Sequence, residues 1–387
     1  MKSRRGQTHL IYLDNAATTR PCPETVAAME KALRETWGNP SASHGPGREA
    51  RSLLEESRAN LMKALNAPGG TLVFTSGGTE ADNQALRGAA LHGRGVGKHL
   101  ISSEAEHEAV LNTLKALGTQ GWEVTLLKPD EFGRISPSAV EAALREDTAL
   151  VSLILVNNET GAVNDIAAVR ELLDRKGSRA LLHTDAVQAF CKLPFSPARL
   201  GADLISLSGH KIGGPKGVGA LWIREGLKLA PLLEGGGQEG GLRSGTEAMP
   251  AIAGFGAAAM AAAARGTETA AARYARLRQT LAEALPKALL IGRDTEACAG
   301  HICCLSFPGA RAEVLQNWLD REGICVSRGS ACARGRRSHV LTAMGLPAAV
   351  IDGALRVSFS PETTEEEVLL FAGTVSAAAD RFFPKWG

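Results

Sequence analysis

Short apolar runs alternate with longer stretches of helical period along the first part of the chain. Thr71-Leu72-Val73-Phe74 reads as a strand, followed by Ser76-Gly77-Gly78-Thr79 and a helical pattern from Glu80 to about Leu91. Leu100 to Ser102 precedes a helix from about Glu106 to Leu117. Glu123 to Leu127 is strand-like, and Pro137 to Arg145 is a helix with Ser136 as its N-cap. Leu150 to Val156 is continuously apolar, the pattern of a strand buried on both faces. Ala180 to His183, Leu204 to Leu207 and Val218 to Ile223 add further strands. Repeated β-α units of this length predict an α/β fold, a mostly parallel, doubly wound sheet covered by helices.

From about Ala257 the character changes. An Ala-rich helix over Ala257 to Ala264 and another over Glu268 to Leu285 precede strands at Ile302 to Phe307, Gly323 to Ser327 and Leu355 to Ser360. The expected division is a large domain over residues 14–256 and a smaller α+β domain made of 1–13 and 257–387.

Composition narrows the function classes. At 387 residues, two domains are the natural expectation. The 43 basic and 41 acidic side chains nearly cancel, so no global field argues for direct nucleic-acid binding. One basic cluster, Arg334-Gly335-Arg336-Arg337, reads either as a solvated loop or as a docking patch for an acidic partner. No apolar run reaches the ~20 residues that cross a bilayer, and Met1 to His9 lacks the apolar stretch of a secretion signal. The seven cysteines are odd in number and scattered, which fits free thiols in a reducing, cytoplasmic compartment. None has metal-ligand spacing with histidines, and no metal is expected.

Candidate chemistry gathers at strand ends. Lys211 follows the strand Asp203 to Leu207 through a Ser-Gly-His turn and precedes the glycine-rich Gly213-Gly214-Pro215-Lys216-Gly217. A lysine there faces the carboxyl end of the sheet, where ligands bind in open α/β folds. Partial desolvation would favour the neutral amine that forms an imine. Asp185 and Gln188, in His183-Thr184-Asp185-Ala186-Val187-Gln188, follow another strand. The carboxylate suits a protonated ring nitrogen and the amide a phenolic oxygen, although Asp185 alone could be a helix cap. Ser76-Gly77-Gly78-Thr79 joins a strand to a helix and makes a phosphate cup, but no Gly-Lys-Ser/Thr follows, so a nucleotide loop is disfavoured. His107 could stack on a flat ring, and Asn157-Asn158-Glu159-Thr160-Gly161 places polar groups after a buried strand.

Taken together these segments resemble the cysteine desulfurases of the NifS/IscS type, in the class V aminotransferase branch of fold-type I pyridoxal-phosphate enzymes. The resemblance runs from Tyr12-Leu13-Asp14-Asn15-Ala16-Ala17-Thr18-Thr19 to Thr364-Glu365-Glu366-Glu367. It includes Gly38-Asn39-Pro40-Ser41, Phe74 to Glu80, Ser208-Gly209-His210-Lys211, Arg243-Ser244-Gly245-Thr246, Gly329-Ser330-Ala331-Cys332 and Leu355-Arg356-Val357-Ser358.

The resemblance implies a role for each matching position. Lys211 would hold pyridoxal 5'-phosphate as a Schiff base, Asp185 would pair with the pyridinium, Gln188 with the phenolate oxygen, and His107 would stack on the ring. Gly78, Thr79, Ser208 and His210 would hold the phosphate. Thr246 would reach the phosphate of the other subunit of a homodimer. Asn158 and Arg356 would bind the carboxylate of L-cysteine. Cys332 would take the sulfur as a persulfide, with Arg328 and Arg334 placed to lower its pKa, and pass it to an acceptor protein. Iron–sulfur cluster assembly, tRNA thiolation and DNA phosphorothioation all draw on such enzymes. Only five residues, Ala333 to Arg337, separate Cys332 from the helix-like Ser338-His339-Val340-Leu341, where the resemblance leads one to expect a longer, Ser-rich loop. An aminotransferase or another lyase of the same fold, and a non-catalytic sulfur-relay scaffold, are the rival readings.

Overall fold

A computed structural model of the chain describes residues 10–92, 95–292, 298–329 and 337–384. Its strands are, in chain order, β1 (Ile11–Tyr12), β2 (Thr71–Thr75), β3 (His99–Ser103), β4 (Glu123–Leu127), β5 (Thr148–Ser152), β6 (Leu181–Asp185), β7 (Leu204–Ser208), β8 (Gly219–Ile223), β9 (Leu289–Ile291), β10 (Ile302–Ser306), β11 (Ile324–Cys325) and β12 (Ala354–Ser358).

Seven of them form one sheet in the order β2-β8-β7-β6-β5-β3-β4. All neighbours from β7 through β6, β5 and β3 to β4 are parallel. Only β8 runs against its neighbours, β2 and β7. The expected mostly parallel α/β sheet is therefore present. Period-two alternation explains why both faces are covered. Val73, Leu100, Leu150, Leu181, Leu204 and Leu221 enter one apolar cluster. Phe74, Ile101, Val151, Leu182, Ile205 and Trp222, the next residue in each strand, enter the other.

The second region carries an antiparallel sheet ordered β12-β10-β9 and the parallel pair β1-β11. Its core joins Ile11 and Leu13 to Tyr274, Leu305, Phe307, Phe359 and Phe371. The first core extends along the helix Met249–Arg265 as far as Ala262. Gly256, the sequence-based boundary, lies within that helix.

Several element limits differ from expectation. The helix expected at Ala257 begins at Met249, with Pro250 in its first turn. The helix expected from Glu106 spans Glu108–Thr119, and His107 caps it instead. Leu153 to Val156 leave the regular strand β5, yet Leu153 and Leu155 still donate to the His183 and Asp185 carbonyls. The strand expected over Gly323 to Ser327 shrinks to β11, with Ser327 bridged separately to Arg356. Ser136 caps Pro137–Ala143 as expected, accepting from the Ala139 N–H. No helix among the described residues is long and apolar enough to cross a membrane.

Candidate active site

Because β2 and β7 each pair antiparallel with β8, the carboxyl ends of β2, β3, β5, β6 and β7 all emerge on one side of the sheet. A cavity of about 280 Å³ lies there, lined by Gly78, Thr79, His107, Asn158, Asp185, Gln188, Ser208, His210, Lys211 and Arg356. Ala16, Ala17, Asp82, Ile154 and Val187 complete its wall. A larger groove, about 720 Å³, passes Arg58 and Glu239, but those two charges already neutralise one another.

The phosphate-cup residues sit at the start of the helix Gly78–His92, whose first N–H groups have no intrahelical acceptor. A Cβ on Gly78 would lie 2.8 Å from Val187 Cγ2, so only glycine lets this turn approach the turn after β6. The Ser208 hydroxyl, at the end of β7, is buried with no hydrogen-bond partner. An unsatisfied buried hydroxyl beside a helix N-terminus is what a bound phosphate would complete. The cavity thus fits pyridoxal phosphate at its most demanding end. Burial pulls His210 down to about 4, with Lys211, Lys216 and Lys192 acting in the same direction, so the ring is neutral at pH 7. Its Nδ1 contacts Thr18 Oγ1 at 3.1 Å.

Lys211 Nζ donates to the carbonyls of Ala16 and Ala17, at 2.6 and 2.7 Å. Asp185 ends β6, and its Oδ1 accepts from the Val187 N–H at 2.9 Å. Burial raises the Asp185 pKa, while the neighbouring His107 imidazole, the Val187 N–H and Lys211 oppose the rise. His107 Nδ1 accepts from Ala109 N–H at 3.1 Å, which leaves Nε2 as the protonated nitrogen of a neutral ring. Burial lowers the His107 pKa, with Lys211 and His339 acting the same way and Asp185 and Glu108 opposing.

Sequence reasoning missed Asp82, one helical turn after Gly78, which lines the cavity and contacts His183 Nε2 at 3.7 Å. Burial, followed by the Asp185 charge, lifts the Asp82 carboxyl, and burial lowers His183 to about 3. His183 is therefore neutral at pH 7, and the contact is not an ion pair. The His183 ring is held instead by Ser152 and Ser206, at 2.8 and 3.0 Å.

Arg356, on β12, reaches the cavity from the second region with its guanidinium almost wholly buried. Nη2 donates to Asp14 Oδ1 at 2.8 Å and Nη1 to the Asn158 carbonyl at 2.9 Å, while Nε is unpartnered. These bonds engage two of its five N–H groups, which leaves donors enough for a bidentate pair with a carboxylate. Asn157 holds the adjoining turn, its Oδ1 accepting from the N–H groups of Glu159 and Thr160.

Thr246 is exposed and lies off this cavity. Side chains tether the glycine-rich loop before it, among them Gln84, which donates to the Leu242 carbonyl. Glu239, at φ 50°, has a covered side chain that accepts from both Arg58 terminal nitrogens and from the Phe74 N–H of β2. Arg243 donates to Glu80, which also accepts from the Ser76 N–H of the phosphate turn.

Cys332 lies outside the described residues, as does Arg334. The chain on either side converges on one buried carboxylate. Ser338 Oγ donates to Glu159 Oε2, and a Cβ on Gly329, where φ is +101°, would lie 3.0 Å from the same oxygen. Arg328 pairs with Glu313 at 3.4 Å, and Arg337 binds Asp352 through two bonds, so these two described arginines already have carboxylate partners. No described cysteine lines the cavity. Burial raises the Cys303, Cys304 and Cys191 thiols, Cys303 to about 11 and Cys191 to about 12, which makes them poor nucleophiles.

The family described as aminotransferase class-V matches residues 11–371. A cysteine desulfurase IscS of Methanosarcina thermophila is 42% identical over 363 residues, covering 92% of this chain and 89% of that protein. A solved NifS-like protein superposes with a TM-score of 0.90 at 36% identity, covering 97% of this chain and all of the other. SspA, solved in complex with cysteine, gives 0.79 at 33% identity over 92% of this chain and 100% of its own. With the site geometry and these likenesses in hand, the chain belongs to the class-V aminotransferases, pyridoxal-phosphate enzymes, and within them to the cysteine desulfurases.

Proposed function

We propose that the protein converts L-cysteine to L-alanine and leaves the sulfur as a persulfide on Cys332. The observation that carries this reading is the convergence of Lys211, Asp185, His107, Ser208 and Arg356 on one cavity. The chain leads from Arg356's backbone partner, Ser327, to Cys332 in five residues, a reach of at most roughly 17 Å.

When bound, pyridoxal phosphate supplies a conjugated ring that accepts the electron pair released at the substrate's carbon. Gly78, Thr79, Ser208 and His210 would hold its phosphate, Asp185 its ring nitrogen, Gln188 its phenolic oxygen and His107 its ring face. Lys211 would hold it covalently and, once displaced by substrate, move a proton at the substrate Cα. The open N–H groups of Arg356, with Asn158, orient the substrate carboxylate. The Cys332 thiolate attacks the substrate Sγ: a sulfur–sulfur bond forms, the Cβ–Sγ bond breaks, and a proton takes sulfur's place on Cβ. The sulfur is oxidised as Cβ is reduced, so no external oxidant is required.

The reading includes a cytoplasmic homodimer in which Thr246 serves the partner's phosphate site, and an acceptor protein that carries the sulfur onward. Iron–sulfur cluster assembly, tRNA thiolation and DNA phosphorothioation are the candidate destinations. The test is to incubate the holoenzyme with L-cysteine and a thiol reductant and to quantify products. Alanine and sulfide in equal amounts support desulfuration, whereas a keto acid as the main product would assign transamination. Sedimentation of the same sample reads the dimer.

A further inference from the structure

Lys192 is buried, and none of the steps above uses it. Its Nζ donates to Gln188 Oε1 at 3.1 Å. On the other side of that amide, Gln188 Nε2 donates to the Ala16 carbonyl at 2.9 Å. The same carbonyl accepts from Lys211 Nζ at 2.6 Å. A carbonyl can only accept, so Ala16 fixes which end of the amide is nitrogen, and Lys192 rewards the matching placement of the oxygen. A flipped amide would set its NH₂ against the Lys192 ammonium and its oxygen against the Ala16 carbonyl, losing both bonds. In the observed orientation Nε2 keeps a second N–H on a side chain that lines the cavity.

We propose that Lys192 is a positioning residue that acts through Gln188, locking the amide so that an N–H is presented to the cofactor's phenolic oxygen. This rests on the reading of Gln188 given above. Burial brings the Lys192 ammonium down to about 7, with Lys211 and Arg356 adding to the effect and the Cys191 thiol opposing it. His301 is a further titratable group facing it. The ammonium can only donate, whereas the neutral amine also has a lone pair, so the lock is strongest while Lys192 is protonated and the Ala16 carbonyl holds the orientation above that.

An N–H at the phenolic oxygen stabilises its anion and so weakens proton binding at the neighbouring imine nitrogen. Removing that N–H raises the pH midpoint of the bound cofactor's absorbance change. The experiment titrates the absorbance of four holoenzymes: wild type, Gln188→Leu, Lys192→Met and the double variant. The midpoint is expected to rise by about one pH unit in each single variant, a tenfold change in proton affinity, and no further in the double variant. Lys192→Leu serves as a second donor-free variant if Lys192→Met does not fold. An unshifted Gln188→Leu overturns the assignment of Gln188 itself, and the proposal with it. A shifted Gln188→Leu beside an unshifted Lys192→Met overturns the proposal alone. So does a Lys192→Met shift that persists in the Gln188→Leu background, because Lys192 would then act by a route other than the amide.

Discussion

Ser327 and Arg356 exchange both backbone hydrogen bonds, 3.1 Å from the Ser327 N–H and 2.7 Å from the Arg356 N–H. Such a pair brings two Cα atoms to about 5.5 Å. The strand that supplies the cavity's buried guanidinium is thereby bonded to the chain entering the Cys332 segment, and Glu159 gathers Gly329 and Ser338 on the segment's two sides. The residues proposed to orient substrate and to capture sulfur are in this way attached to neighbouring backbone.

Arg356→Lys is expected to raise KM for L-cysteine and to lower kcat/KM by roughly thirtyfold, about 2 kcal/mol, with a smaller effect on kcat. A lysine keeps the charge but not the planar fork that can satisfy Asp14, the Asn158 carbonyl and a ligand together. Steady-state kinetics check this. An unchanged KM would remove Arg356 from substrate binding.

Glu106 is fully buried, and burial pushes its carboxyl up to about 8, with Asp185 adding to the rise while the Ser103 hydroxyl and the Ile154 N–H oppose it. In the unfolded chain it titrates near about 4.3. Between those values the folded state holds the proton that the unfolded state has lost, so stability falls as pH rises through the window. Glu106→Gln mimics the protonated acid and should be the more stable protein near pH 8, by several kcal/mol and at most about 5, with the advantage vanishing near pH 4. Thermal melts at several pH values check the sign.

Glu239→Gln should destabilise the fold by about 3 kcal/mol. It removes the charge opposite the partly buried Arg58 and weakens the acceptor that satisfies the Phe74 N–H on the sheet's edge strand. Denaturant unfolding measures this. The glycine-rich loop should also become easier to cleave by protease, because its anchor to the edge strand is weakened, leaving the Arg243–Glu80 pair and the Gln84 bond to the Leu242 carbonyl.

Much of this was legible because the buried strands are written locally. Leu204 to Leu207 and its counterparts carry residues for both apolar clusters, and each ends in the polar turn that lines the cavity. The antiparallel course of β8 also has a local cause: Gly209 to Val218 is too short for a helical crossover. Helix Met249–Arg265 was read eight residues short, since Met249 to Phe255 is apolar all round where it packs in the core and so lacks helical period. Asp82, Lys192 and Glu239 stayed hidden for another reason. Their roles depend on distant groups, as when Glu239 meets Phe74 across 165 residues of sequence. Nothing near them in the chain records such a meeting.

The most direct test concerns Cys332. Holoenzyme mixed with one equivalent of L-cysteine, without reductant, is quenched, digested and analysed by mass spectrometry. The expected result is one added sulfur atom on Cys332 with an equal amount of alanine, and in Cys332→Ser neither product above background while the cofactor's absorbance is retained. Sulfur accumulating on another cysteine, or undiminished alanine from Cys332→Ser, would contradict the account.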